Sequence, residues 1–90
     1  MELGKIYMTQ RINAALLKDS EFASEIPVLL KKYSNKDWGI TPDNDIQENN
    51  KAFENGDRII ATYETSEGNI FIITEADRTI TTILFPDEYW

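Results

Sequence analysis

Three residues of this 90-residue chain offer catalytic chemistry by type and spacing: Tyr63, Glu75 and Arg78. In "TEADR", residues 74 to 78, a carboxylate stands three positions before a guanidinium, and Tyr63 falls on a neighbouring strand-like segment. Glu75 could take a proton as a general base, Arg78 could clamp a phosphate or an oxyanion, and Tyr63 would be the third member. Small nucleases built from helices on an antiparallel sheet can work without metal, thiol or histidine. The chain has no cysteine and no histidine. Disulfides, thiolate nucleophiles and cysteine-containing zinc sites are thereby excluded, and the commonest general base and transition-metal ligand are missing too. The plainer reading is a hairpin turn. Asp77 then supplies turn chemistry, while Glu75 and Arg78 flank it as an exposed ion pair worth under about 1 kcal/mol.

Charge decides between these readings. Residues 1 to 36 carry six basic and four acidic groups, a balance of +2, and residues 37 to 90 carry three basic and twelve acidic groups, a balance of −9. Nucleic-acid binding draws its affinity from Lys and Arg displacing condensed counterions, so this field repels a phosphate backbone. An RNA-cutting enzyme needs a basic face. The turn is therefore the preferred reading of "EADR", no catalytic residue is assigned, and a metal-independent ribonuclease or toxin-like enzyme using Tyr63, Glu75 and Arg78 is the alternative. The same field attracts a basic protein surface and speeds its encounter.

The densest acidic stretch, "DNDIQENNKAFE", puts Asp43, Asp45, Gln47, Asn49, Lys51 and Glu54 on positions 1, 3, 5, 7, 9 and 12 of a calcium loop. Position 6, where that loop turns sharply on glycine, is Glu48. The preceding "TPD" argues for a helix instead, with Thr41 as N-cap, Pro42 at the first helical position and Asp43 and Asp45 favourable to the dipole. No metal or cofactor is expected. Asp43, Asp45, Glu48 and Glu54 become the candidate contacts for a basic partner, with Trp38 of "DWG" as either a lid of the core or an interface anchor.

The elements that must position these residues follow from hydrophobic period. "GKIYMT", residues 4 to 9, alternates as a short strand, and Ile12, Ala15 and Leu16 after Thr9, an N-cap type, recur at helical spacing. Phe22, Ile26, Leu29, Leu30 and Tyr33 form one amphipathic stripe, interrupted by Pro27, which predicts either a kinked helix from 20 to 34 or a fresh start near Ile26. The third helix should stop at Gly56 in a left-handed cap. From Arg58 the period becomes two, giving three strands over roughly 58–65, 69–75 and 79–85, whose short connections make an antiparallel meander. The central run Ile70, Phe71, Ile72 and Ile73 is apolar on both faces. The helices cover one face, and the N-terminal segment, the C-terminal "PDEYW" or another chain covers the second.

The expected fold is thus a single α+β domain over residues 1–90: a short N-terminal strand and two to three helices packed on a C-terminal three-stranded meander. Hydrophobic residues make up 41% of the chain and charged ones 28%, too apolar for wholesale disorder. The longest apolar runs fall far short of the roughly 20 residues that span a bilayer. With Glu2 and the interruptions at Lys5, Gln10 and Arg11, the N-terminus lacks the pattern of a secretory signal, and the expected location is the cytoplasm.

The residues also carry a resemblance. "DWG" (Asp37, Trp38, Gly39), Asn49, Gly56, Arg58, Ile59, Tyr63, Thr65 and Gly68 lead into "IITEADR", and Thr81, Thr82, Leu84, Pro86, Glu88 and Tyr89 follow. In these motifs the chain resembles a family of short bacterial proteins carried on plasmids, integrative elements and phages, some labelled plasmid-related and some labelled type I restriction subunits. It departs from that pattern at Ile40, where an acid is expected, and at Trp90, which extends the "EY" ending. The resemblance implies cargo of a mobile genetic element. Joined to the charge, it leads to a non-enzymatic acidic protein that binds a basic protein surface, such as that of a host defence or nucleic-acid-handling protein, with a structural homodimer as a further alternative.

Overall fold

The computed structural model describes residues 1–89, in the order β1 (Lys5–Met8), α1 (Gln10–Lys18), α2 (Ser20–Ser34), α3 (Asp43–Asn55), β2 (Ile59–Thr65), β3 (Gly68–Thr74), β4 (Ile80–Leu84) and a one-turn 3₁₀ helix, Pro86–Glu88. The strands form one sheet in the order β1-β4-β3-β2. β2, β3 and β4 are the antiparallel meander expected from the short turns, and β1 extends it by pairing in parallel with β4, Ile6 opposite Thr81 and Tyr7 opposite Thr82. The N-terminal segment therefore lengthens the sheet instead of covering its second face.

Strand alternation divides the sheet cleanly. Ile59, Ala61, Tyr63, Ile70, Ile72 and Ile83 point to one side and are buried with Ile12, Phe22, Ile26, Tyr33 and Trp38. The inner face also contains Thr74 and Thr81, both fully buried. Their hydroxyls lie 2.8 Å apart, Thr74 meets the Tyr33 hydroxyl at 2.7 Å, and Thr81 donates to the Leu3 carbonyl at 2.6 Å. Among the described residues no buried side-chain nitrogen or oxygen lacks a hydrogen-bond partner, and these hydroxyls tie α2, β3, β4 and the N-terminus together at low cost.

Thr9 caps α1, accepting from the Ile12 amide at 3.2 Å, and also donates to Glu88 at 3.1 Å. Asp19 closes α1 and caps α2 through the amides of Glu21 and Phe22. α2 runs uninterrupted through Pro27, so no fresh start occurs near Ile26. The reason is energetic: Pro27 costs about 3 kcal/mol inside a helix, while burial of Phe22, Ile26, Leu29 and Tyr33 is worth about 1.5–3 kcal/mol per side chain. Pro27 itself lies on the exposed side.

α3 begins after Pro42 with no side-chain cap, contrary to the expectation for Thr41. The Thr41 hydroxyl is instead held by the sheet: it accepts from the Thr62 amide at 2.9 Å and donates to the Trp38 carbonyl. The helix ends as expected at Gly56, left-handed at φ 73°.

The second face of the sheet is partly covered by the chain end. Tyr89 packs edge-on against Phe71, with ring centroids 5.7 Å apart, and the Arg58 guanidinium donates to its hydroxyl at 2.9 Å. Trp90, which the sequence reading placed beyond the "EY" ending, lies outside the described residues.

Candidate functional site

The hairpin loop between β3 and β4 is where the catalytic reading would have to act. Its backbone is a turn: the Arg78 amide donates to the Glu75 carbonyl at 2.9 Å, and the Glu75 amide to the Ile80 carbonyl at 3.0 Å. Asp77 supplies the turn chemistry expected of it, its Oδ1 accepting from the Thr79 amide at 3.1 Å and the Thr79 hydroxyl at 2.7 Å. These bonds hold its carboxyl below the ordinary aspartate value.

The expected Glu75–Arg78 ion pair is replaced by two different contacts. Glu75 pairs with Arg58 on the neighbouring strand end at 3.2 Å. Arg78 adopts a left-handed backbone, φ 62°, and aims its guanidinium at three carbonyls: Asp57 at 2.7 Å, Glu75 at 3.1 Å and Ala52 at 3.1 Å. Two of these belong to the C-terminal end of α3 and the segment just beyond it, where carbonyls outnumber donors and a cation complements the helix dipole. Arg78 closes a distant helix end, which local reading of "EADR" cannot reveal.

Tyr63 stands apart from both. It pairs with Ile70 across β2 and β3, four register positions from the Ile59–Thr74 pair beside the loop, roughly 13 Å along the strand. Its hydroxyl donates to the Asp37 carbonyl, and burial pushes its ionisation above the ordinary tyrosine value, with the nearby Asp37 charge adding to the shift. The three residues proposed as a catalytic set therefore do not converge on one point.

Trp38, a candidate partner contact, is 3% exposed. It packs edge-on against Tyr33 at 5.5 Å and donates from its indole to Asn50 at 3.0 Å. A side chain so placed is a lid of the core and presents no anchor to a partner. The bend beside it requires Gly39, at φ 67°, because a Cβ there would lie 2.5 Å from the Thr62 carbonyl and the Tyr63 ring.

The four acidic candidates all lie exposed on α3. Helical spacing splits them: Asp43 and Glu54, eleven residues apart, share one line of the helix, whereas Asp45 and Glu48 turn toward the sheet. There a cleft of about 450 Å³ opens between α3 and the outer sheet face, and its walls include Asp45, Glu48, Asp57, Ile60, Thr62 and Phe71. Lys51 and Arg58 also border it, each engaged with an acid, Lys51 with Glu48 at 3.9 Å and Arg58 with Glu75. Asp45 and Asp57 have no basic partner within 4 Å among the described residues. Asp57, Ile60 and Phe71 are not among the contact residues expected from the sequence, because each borders the cleft only once α3 crosses the edge of β2.

Asn49 makes that crossing specific. It is 5% exposed, its amide nitrogen donates to the Ile60 carbonyl at 2.7 Å, and its oxygen accepts from the Ile60 amide at 3.3 Å. The side chain thus imitates a strand, and the next outward pair on β2 is completed by Ile40, whose amide donates to the Thr62 carbonyl at 3.0 Å, and by Thr41. Covering these groups protects the β2 edge from pairing with another chain. In the sequence Asn49 stood out only as position 7 of the calcium-loop spacing and as one residue of the resemblance, neither of which points to a strand-like bond with Ile60.

Among the described residues there is no group of three or more acids placed to hold a metal ion, and the calcium-loop spacing is absorbed by α3. No described helix is long and apolar enough to cross a membrane. Comparisons with family models, curated proteins and solved structures return no match.

Proposed function

We propose that this chain acts by binding another protein through a basic surface of that partner, with α3 and the adjoining cleft as the contact region and without catalysis of its own. The observation that carries the reading is the charge balance of −9 over residues 37 to 90, joined to the fate of the three basic groups in that segment. Lys51 and Arg58 sit beside acids and Arg78 is spent on backbone carbonyls, so the exposed carboxylates of α3 keep their field. Fields of this kind raise encounter rates and select partners of opposite sign more than they add affinity. The resemblance to mobile-element cargo supports a partner in host defence or nucleic-acid handling, whose basic groove an acidic protein would occupy.

The test is to capture the partner from the natural host, identify it by mass spectrometry, and measure association with the purified protein across salt. Reversing Asp43, Asp45, Glu48 and Glu54 to lysine should slow association and flatten its salt dependence with the fold intact. Unchanged association would leave the acidic helix as a solvated face and end this reading.

A further inference from the structure

The acidic residues of α3 are not equivalent, and the difference reaches to the kind of side chain the partner must present. On one side of the helix Asp43 and Glu54 face open solvent. On the other, Asp45 and Glu48 look across a cleft of about 450 Å³ to Asp57 at the far end of the helix, over a floor supplied by Ile60 and Phe71 on the outer sheet face. The volume lies within the range of roughly 300–1,000 Å³ typical of ligand clefts. An apolar floor beneath a carboxylate rim suits one class of side chain: a long aliphatic stem that ends in a cation.

We infer that this cleft is the docking site for an arginine- or lysine-bearing peptide segment of the protein partner, its aliphatic stems lying on Ile60 and Phe71, one cationic head reaching Asp45 and a second reaching Asp57 at the other end of the cleft. The inference rests on the proposed protein-binding function and narrows it to one face of α3. Charge complementarity selects the occupant. Glu48 already has Lys51 beside it, and the bordering Arg58 is drawn to Glu75 and Tyr89. That leaves Asp45 and Asp57 as the two cleft carboxylates with no basic side chain within 4 Å among the described residues, the nearby Arg78 guanidinium being held by the backbone carbonyl of Asp57. Guanidinium is the better fit of the two heads, because its planar fork can bond a carboxylate in two-point fashion while its face rests on Phe71.

The experiment compares two double variants that remove the same charge. Asp45→Asn with Asp57→Asn empties the cleft rim, and Asp43→Asn with Glu54→Gln neutralises the open side. Each pair includes one first-turn acid of α3, so loss of helix-dipole stabilisation is matched. The probe is a capped hexapeptide, Ac-GRLRGS-NH2, titrated into the full chain and followed by amide chemical shifts. Amide dispersion reports in the same spectra that each variant is folded. The expected result is shift changes at Asn49, Ile60, Thr62 and Phe71, a tenfold or greater loss of affinity in the cleft pair, and less than a twofold loss in the open-side pair. Equal losses in both pairs would overturn the cleft assignment and leave the general acidic-field reading standing. No shift changes with the wild type, or none at cleft residues, would also overturn it.

Discussion

Replacing Arg78 separates two opposing contributions that the structure places in one residue. Its guanidinium reaches the carbonyls of Asp57, Glu75 and Ala52 at 2.7–3.1 Å, and its backbone sits at φ 62°. A hydrogen bond from a charged group is worth about 1.5–3 kcal/mol when well buried. Here the head group is half-exposed and water can replace part of each bond, so the three together should be worth about 2 kcal/mol. Arg78→Ala loses that sum and keeps the left-handed backbone, which costs a non-glycine residue about 1–2 kcal/mol. Arg78→Gly loses the same bonds but relieves the backbone, so its net cost should be about 1 kcal/mol. For a domain of this size, 1 kcal/mol shifts the melting temperature by roughly 4–8 °C. Alanine should therefore melt lowest, glycine between alanine and wild type. The assay is thermal and urea unfolding of the three proteins. An alanine variant within 0.5 kcal/mol of wild type would refute the clamp, and a glycine variant no more stable than alanine would refute the backbone argument.

Three further outcomes are expected. Asn49→Leu strands the amide and carbonyl of Ile60 at a partly buried edge, at a cost of about 2–4 kcal/mol in urea unfolding, and opens the β2 edge to concentration-dependent association; a loss below 1 kcal/mol would contradict the strand-mimic role. Alkaline pH should destabilise the fold, because burial raises Tyr33 to about 12 and Tyr63 upward from an unfolded value of about 10. The folded state then holds more protons than the unfolded one, so stability is full below about pH 10 and falls above it, by up to about 1.4 kcal/mol per pH unit for each group; ionisation of all four tyrosines near pH 10 in the intact fold would refute this. Finally, total RNA incubated with the protein in EDTA should stay intact and duplex DNA or RNA should not bind at physiological salt; cleavage that Glu75→Ala and Arg78→Ala both abolish would restore the nuclease reading, and micromolar duplex binding would overturn the charge argument.

What the sequence alone determined is the local grammar of the chain. Thr9 before a helical period, Gly56 after one, Asp77 in a turn and alternation from Arg58 onward act through neighbours a few residues away, and each leads to the element observed. The charge split is likewise a property of composition, independent of fold. Tertiary structure alone decided whatever depends on partners distant along the chain. Thr41 has the chemistry of an N-cap, but the amide of Thr62 competes for its hydroxyl and wins, because a partly buried amide left unmet costs more than an exposed helix start. Pro27 should interrupt a helix by local rules, and the buried stripe on the opposite side outweighs it. Glu75 and Arg78, three residues apart, form no ion pair: the Glu75 carboxylate finds Arg58, and the Arg78 guanidinium finds the carbonyls at the end of α3 together with that of Glu75, groups that only the fold assembles there. Asp45 and Glu54 read alike in sequence; only the crossing of α3 over β2, locked by Asn49 on Ile60, gives one a cleft and leaves the other in open solvent.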